Sequence, residues 1–315
     1  MVERSDKYER LIAAGRDGTP AVTIVAHPCD DTSLRGAMEA AAEQLIDPVL
    51  VGPEPRIRSL AAEHGIDLEG RRIVDAPHSH AAAAQAVALI REGRGDLLMK
   101  GSLHTDELMK EVTSSATGLR TERRISHVFI MDVPGHAETL FITDAAINIF
   151  PDLDTKRDII QNAIDLWAGI GLGTPNVAIL SAVETVTKKI PSTIEAAALC
   201  KMAERGQITG GLLDGPLAFD NAISRDAATT KGIVSDVAGD ADVLIAPDLE
   251  AGNILAKQLV FLAGAEDSGL VLGARCPVML TSRADGPAAR IASVALAQLY
   301  VHWAEAQAAA KLAGE

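Results

Sequence analysis

The chain has 315 residues, enough for two domains or one large α/β domain. Apolar residues make up 48% of it but aromatics only 3%, so the core must be built from Ala, Val, Leu and Ile, as suits helices packed on a largely parallel sheet. A net charge of −14 argues against a nucleic-acid or anionic-membrane surface, since both need a basic face, and leaves anion binding to a few focused Arg and Lys positions.

The apolar run at 21–26 (AVTIVA) predicts a strand, followed by a loop and a helix over 33–46. Short strands at 48–52 and 72–75, an alanine-rich helix over 79–92 and a fourth strand at 96–100 continue the alternation of a doubly wound sheet. Two strands at 127–133 and 139–143 stand only a turn apart, with Pro134-Gly135 between them, which predicts a hairpin. Then come a helix over 155–169, a strand at 177–180, a helix over 192–205 and a short strand at 211–214. A strand at 243–246, a helix over 251–263, a strand at 278–280, a helix over 287–299 and a separate C-terminal helix complete the pattern. Two closely associated α/β domains with a cleft between them are expected.

Cys29, Cys200 and Cys276 are far apart and form no CxxC pair, which reads as reduced thiols in a cytosolic protein. The first fifteen residues are charged throughout and lack an apolar h-region, and no apolar run approaches the ~20 residues of a membrane span. A soluble, cytoplasmic chain without membrane or nucleic-acid partners is the expectation.

Strand after predicted strand ends in polar residues. These ends are Lys100-Gly101-Ser102-Leu103-His104-Thr105, Thr143-Asp144-Ala145-Ala146-Ile147-Asn148, Asp214-Gly215-Pro216-Leu217, Pro247-Asp248-Leu249-Glu250-Ala251-Gly252-Asn253 and Thr281-Ser282-Arg283. Open α/β sheets bind ligands beyond the carboxyl ends of their strands, so the five would converge on one site. The last is the most informative: it offers two hydroxyls, a guanidinium able to clamp a phosphate or carboxylate, and Asp285 as a proton acceptor.

Each end also has a plain structural reading. Thr105 can N-cap a helix, Asp144 and Asn148 can satisfy turn backbone, and Asp214-Gly215-Pro216 can be an ordinary turn. Gly252-Asn253 at a helix start would present free N–H groups to an anion, or Gly252 can serve helix packing alone. Ser282 and Asp285 can simply cap the next helix. Arg120-Thr121-Glu122-Arg123-Arg124 is either a solvated helix end or a positive spot for a polyanionic substrate. Asp144, Asp214 and Asp248 are the weaker set for a divalent cation, because no His/Cys pair stands at ligand spacing. Of the histidines outside these loops, His27 alone follows a strand directly and merits a test. GxGxxG after a strand, GxxxxGK[ST] and GxSxG are all absent.

The segments MKGSLHTDELM, RRISHVFIMDVP, LFITDAAIN, LDGPLAFDNAIS, APDLEAGN and PVMLTSRAD, in this order, resemble the phosphate acetyltransferase/phosphate butyryltransferase family over nearly the whole chain. The Thr-Ser-Arg-Ala-Asp form is closest to the butyryltransferase-like branch and to the transferase half of enoyl-CoA hydratase fusions. The resemblance implies reversible transfer of a short-chain acyl group, acetyl or butyryl, between coenzyme A and inorganic phosphate through a ternary complex. It implies no metal or prosthetic group, and a homodimer. The implied fold is two α/β domains facing across a cleft, with 126–269 inserted between 1–125 and 270–315.

By the same resemblance Arg283 takes the phosphate or acyl-phosphate oxygens and Ser282 the developing oxyanion. The family's downstream Asp has no counterpart, because Ala288-Ala289 stand there; Asp285 or His104 is then the base candidate. Thr105, Asp144, Asn148, Asp214, Pro216, Asp248, Gly252, Asn253, Thr281, Arg120 and Arg124 are the substrate-binding candidates. An acyl-enzyme at Cys276 is a side possibility. Two rival readings stay open at this point: a metal-dependent dehydrogenase or decarboxylase of the same architecture, and a non-catalytic acyl-CoA sensor.

Overall fold

The structure is a computed structural model that describes residues 6–280 and 287–314. In chain order the elements begin α1 (Asp6–Arg16), β1 (Ala21–Ala26), α2 (Asp31–Ala42), β2 (Ile46–Gly52), α3 (Glu54–His64), β3 (Arg72–Asp75), α4 (Ser79–Arg91), β4 (Leu97–Lys100) and α5 (Thr105–Thr113). They continue with β5 (Ser126–Asp132), β6 (Leu140–Thr143), α6 (Leu153–Gly169), β7 (Asn176–Leu180), α7 (Pro191–Glu204), β8 (Leu212–Leu217), α8 (Phe219–Ile223), α9 (Arg225–Thr230), β9 (Val243–Ile245) and α10 (Leu249–Ala263). The last three are β10 (Glu266–Leu272), β11 (Val278–Met279) and α11 (Pro287–Gly314). The chain divides into two compact units, Met1–Arg123 with Ser268–Glu315, and Arg124–Asp267.

In the first unit the strands run β3-β2-β1-β4-β11-β10. All pair in parallel except β10, which is antiparallel to β11. Because helices cover both faces, β1 and β4 are buried almost throughout and read as unbroken apolar runs. Alanine keeps the helices close to the sheet: Ala82, Ala83 and Ala86 of α4 are fully buried. Asp30 starts α2 by accepting a hydrogen bond from the Ser33 N–H at 2.8 Å, which sets the helix two residues earlier than its apolar pattern implies. Gln44, with φ 61°, turns the chain out of α2 well before residue 46.

The second unit orders its strands β5-β6-β9-β7-β8. The β5–β6 hairpin is antiparallel, as predicted, and the remaining pairs are parallel. Its core joins Met131, Leu140, Ile142, Leu217, Leu244 and Ala256, and Phe141 packs edge-on against Trp167 at 5.0 Å.

Several expectations need correction. The Asp214-Gly215-Pro216 segment lies inside β8, so it is sheet and not a loop. One unbroken helix, α11, replaces the two predicted at the C-terminus, because no Gly or Pro interrupts Ala288–Ala313. The basic cluster at 120–124 is irregular chain and no helix end: Arg120 pairs with Ala274 in an isolated bridge. α1, α3, α8, α9 and β10 go unpredicted, and α5 is foreseen only as a helix that Thr105 could cap.

Candidate functional site

Parallel register brings three strand ends of the first unit level. Ala26 of β1 pairs with Lys100 of β4, and Met99 pairs with Met279 of β11. The residues leaving this edge are therefore His27-Pro28-Cys29, Gly101-Ser102 and Leu280. Thr281, Ser282, Arg283 and Asp285 follow Leu280 in sequence and lie outside the described residues.

Gly101 is what lets the first two ends meet. A Cβ there would sit 2.4 Å from the Ala26 carbonyl oxygen and 2.5 Å from that of His27, a backbone clash with no flexible atom to yield. With the strands this close, the Gly101 N–H donates to the Ala26 carbonyl at 2.8 Å and the Ser102 N–H to the His27 carbonyl at 2.9 Å. The Ser102 hydroxyl also donates to the His27 carbonyl at 2.9 Å, accepts from the Cys29 N–H at 3.2 Å, and lies 3.0 Å from His27 Nδ1. His27 adopts φ 55°, a conformation uncommon outside glycine. Arg56 of α3 donates twice to the Cys29 carbonyl, at 3.2 and 3.3 Å. Burial and the Arg56 guanidinium hold the His27 imidazole below its ordinary pKa, against the opposing pull of Glu107 and Asp30.

Lys100 is buried at this edge and donates to the Gly101 carbonyl. His104 and Thr105 stand just beyond it, both exposed. His104, not Thr105, occupies the N-cap position of α5, and its side chain makes no capping bond. Cys276 is almost wholly buried, and burial with the nearby Asp96 pushes its thiol up to about 12. Burial and a raised pKa both work against a thiolate nucleophile at Cys276.

In the second unit the loop after β6 folds around Asp144. Its buried carboxylate accepts from the Ala146, Ile147 and Asn148 N–H groups at 2.9, 3.1 and 3.0 Å, and from Asn148 Nδ2 at 2.5 Å. Asn148 Nδ2 reaches on to the Ile125 carbonyl at 2.9 Å. α10 docks on the same loop: Asn253 Nδ2 donates to the Ala145 carbonyl at 3.0 Å, and a Cβ on Gly252 would meet the Asp144 carbonyl oxygen at 2.8 Å. Asp248 caps α10 by accepting from the Ala251 N–H at 2.9 Å. Gly252 is thus inside the helix, its N–H bonded to the Asp248 carbonyl at 3.2 Å, so it offers no open donor to an anion. Packing is its part.

His127 lies buried, edge-on to Phe129 at 4.4 Å. Desolvation drops its pKa to about 4 despite the Asp144 charge, so it is neutral.

The structure brings Asp144, Asn148, Asp248, Gly252 and Asn253 together, and sets Asp214 and Pro216 apart. β8 is three strands from β6, about 14 Å at the usual interstrand spacing. Asp214 accepts from the Gly215 N–H at 2.8 Å, and Pro216 is buried in the sheet. Asp144, Asp214 and Asp248 therefore share no cation, and among the described residues no group of three or more His, Cys, Asp or Glu could hold one. Arg120 belongs to the first unit and Arg124 to the second; both are exposed. Sequence reasoning passed over Gly101, Ser102 and Arg56. Only the Lys-Gly-Ser punctuation after an apolar run signalled the first two.

The description "Phosphate acetyl/butaryl transferase" belongs to the family model that matches residues 78–298. A phosphate acetyltransferase from Rhizobium meliloti is 75% identical over 294 residues, 93% of each chain. A phosphate butyryltransferase from Clostridium acetobutylicum is 39% identical over 270 residues, covering 86% of this chain and 90% of that one. A branched-chain phosphotransacylase from Enterococcus faecalis V583 superposes with a TM-score of 0.75 at 29% identity, covering 89% of this chain and 99% of that one. The chain belongs to the phosphate acetyl/butaryl transferase family.

Proposed function

We propose that the protein is a phosphate acetyltransferase, moving an acetyl group reversibly between coenzyme A and inorganic phosphate. The observation that carries this is the 75% identity to the Rhizobium meliloti phosphate acetyltransferase across 93% of both chains. A phosphate oxygen attacks the thioester carbonyl, the tetrahedral oxyanion collapses, and the thiolate of coenzyme A leaves and takes up a proton. Holding both substrates at once makes this step effectively unimolecular. Arg283 clamps phosphate and Ser282 donates to the oxyanion, which positioned donors stabilise by about 2.7–4 kcal/mol each. A thioester is already activated and its thiol has a pKa near 8.5, so this mechanism needs no metal or prosthetic group.

Thiol release from acetyl-, propionyl- and butyryl-CoA, with and without phosphate, tests the reading. The expected result is phosphate-dependent release with kcat/KM at least tenfold higher for acetyl-CoA than for butyryl-CoA. The reverse order overturns the acetyl assignment, and no phosphate-dependent release with any of the three overturns acyl transfer itself.

The three cysteines are free thiols, in keeping with a cytoplasmic setting. Among the described residues no helix is long and apolar enough to cross a membrane. The protein works as a homodimer built on α10. Ile254, Phe261 and Leu262 expose 65%, 81% and 80% of their surface, and Ile149, whose carbonyl accepts from the first N–H of α10, is also exposed. α10 carries a single carboxylate, Glu250, so in a chain of net charge −14 it is a face on which two copies repel each other little. Phe261→Glu should convert a particle of twice 33.0 kDa into a monomer by sedimentation. A dimer that survives the change places the interface elsewhere, and a monomeric parent protein removes it.

A further inference from the structure

We propose that His27 is the general base that takes the thiol proton of coenzyme A when acetyl phosphate is the donor, and returns it in the opposite direction. The assignment rests on the acyl-transfer reading above.

The hydrogen bonds at the first unit's strand ends define the tautomer. Ser102 has one hydroxyl proton and donates it to the His27 carbonyl oxygen, which can only accept. The contact between Ser102 Oγ and His27 Nδ1 at 3.0 Å therefore has Nδ1–H as its donor. That leaves Nε2 with a lone pair, and among the described residues nothing hydrogen-bonds to it. The residue is held at three points: its backbone N–H donates to the Val51 carbonyl at 2.7 Å, its backbone carbonyl accepts from Ser102, and ring Nδ1 ties to the same hydroxyl. An imidazole anchored through Nδ1 with an open Nε2 is the arrangement a general base requires.

Position agrees with this. His27 is only partly buried, so Nε2 can meet a substrate. Its positive φ is sustained by the Ser102 and Val51 hydrogen bonds, and strained backbone of this kind collects at functional sites. The charged and titratable groups facing it are Arg56 from α3, Glu107 from α5, Asp30 ahead of α2 and His78 at the start of α4. Burial, Arg56 and His78 favour the neutral ring, whereas Glu107 and Asp30 favour the imidazolium. The outcome is a ring that stays neutral at pH 7.

The step balances. As sulfur attacks the acyl carbon, the S–H bond breaks and its proton passes to Nε2. The S–C bond forms, the C–O bond to phosphate breaks, and the electron pair leaves on the phosphate oxygen. The imidazolium then gives that proton to the leaving phosphate, and in the other direction the attacking hydrogen phosphate passes its proton to neutral Nε2, which hands it to the departing thiolate sulfur.

Rates in both directions should be measured against pH for the parent enzyme, His27→Asn and Asp285→Asn. Asn tolerates φ 55° and its amide can keep the tie to Ser102, so the turn survives while the base is lost. We expect His27→Asn to lower kcat for acetyl-CoA formation at least 100-fold with KM values within about threefold, and to erase an acidic limb that the parent enzyme shows below pH 6.5. Imidazole in the buffer should restore part of the rate to His27→Gly, which also accepts the turn. Nitrogen-15 NMR of the parent ring should report Nδ1–H. A His27→Asn enzyme within threefold of the parent rate, or an acidic limb removed by Asp285→Asn and not by His27→Asn, overturns the assignment alone. A parent enzyme with no phosphate-dependent transfer overturns both this and the acyl-transfer reading.

Discussion

Gly101→Ala should lower the stability of the first unit by about 3 kcal/mol and abolish most acyl transfer. The new methyl group would stand 2.4 Å from the Ala26 carbonyl oxygen and 2.6 Å from the His27 carbonyl carbon, where only backbone can yield. Overpacking costs about 1–3 kcal/mol even where side chains can move, and here the ends of β1 and β4 must separate. At roughly 2–4 °C per kcal/mol for a unit of this size, the melting temperature should fall by about 6–12 °C. Separation also breaks the Gly101 N–H bond to Ala26 and pulls Ser102 from the His27 carbonyl, so activity should fall more than stability alone explains. Calorimetry and the phosphate-dependent thiol assay, run at a temperature where the variant remains folded, separate the two effects. A variant that melts within 2 °C of the parent and keeps its rate would show that the strand ends have slack.

How far the sequence revealed this molecule follows from what burial imprints on residues. Strands covered on both faces must be continuously apolar, so AVTIVA and DLLMK announced β1 and β4, and the hairpin announced itself through Pro134-Gly135. α3 escaped notice because only Ile57 and Ala61 of EPRIRSLAAEH are buried, too few to leave a helical stripe. β8 was cut short because Asp-Gly-Pro has the composition of a turn, yet here it continues a strand whose Pro216 faces the interior.

The same limit applies to the site. Polar strand ends were legible as a class, because Gly, Ser, Asp and Asn interrupt apolar runs wherever a sheet meets a helix. Their individual parts were not. A carboxylate that binds a ligand and one that staples its own loop are spelled alike, and only coordinates separate Asp144, enclosed by four donors, from an open acid. His27 drew attention merely by following a strand. Its tautomer depends on Ser102, 75 residues away.

Asp144→Ala tests the stapling part with the second largest effect expected. The substitution removes the acceptor of three backbone N–H groups and of Asn148 Nδ2, in a loop whose neighbouring residue Ala145 is fully buried. Each buried donor left unsatisfied costs about 1–3 kcal/mol, and water reaching the loosened loop will recover part of it, so a net loss near 4 kcal/mol is expected. The loop is also the floor on which Gly252 and Asn253 seat α10, so its loosening should spread to that helix. Asp144→Asn keeps one carbonyl acceptor and should lose less than half as much. Hydrogen exchange gives the cleanest reading: the Ala146, Ile147 and Asn148 amides should lose protection in Asp144→Ala, with the start of α10 following. If those amides stay protected while acyl transfer disappears, the carboxylate serves the substrate and not the loop.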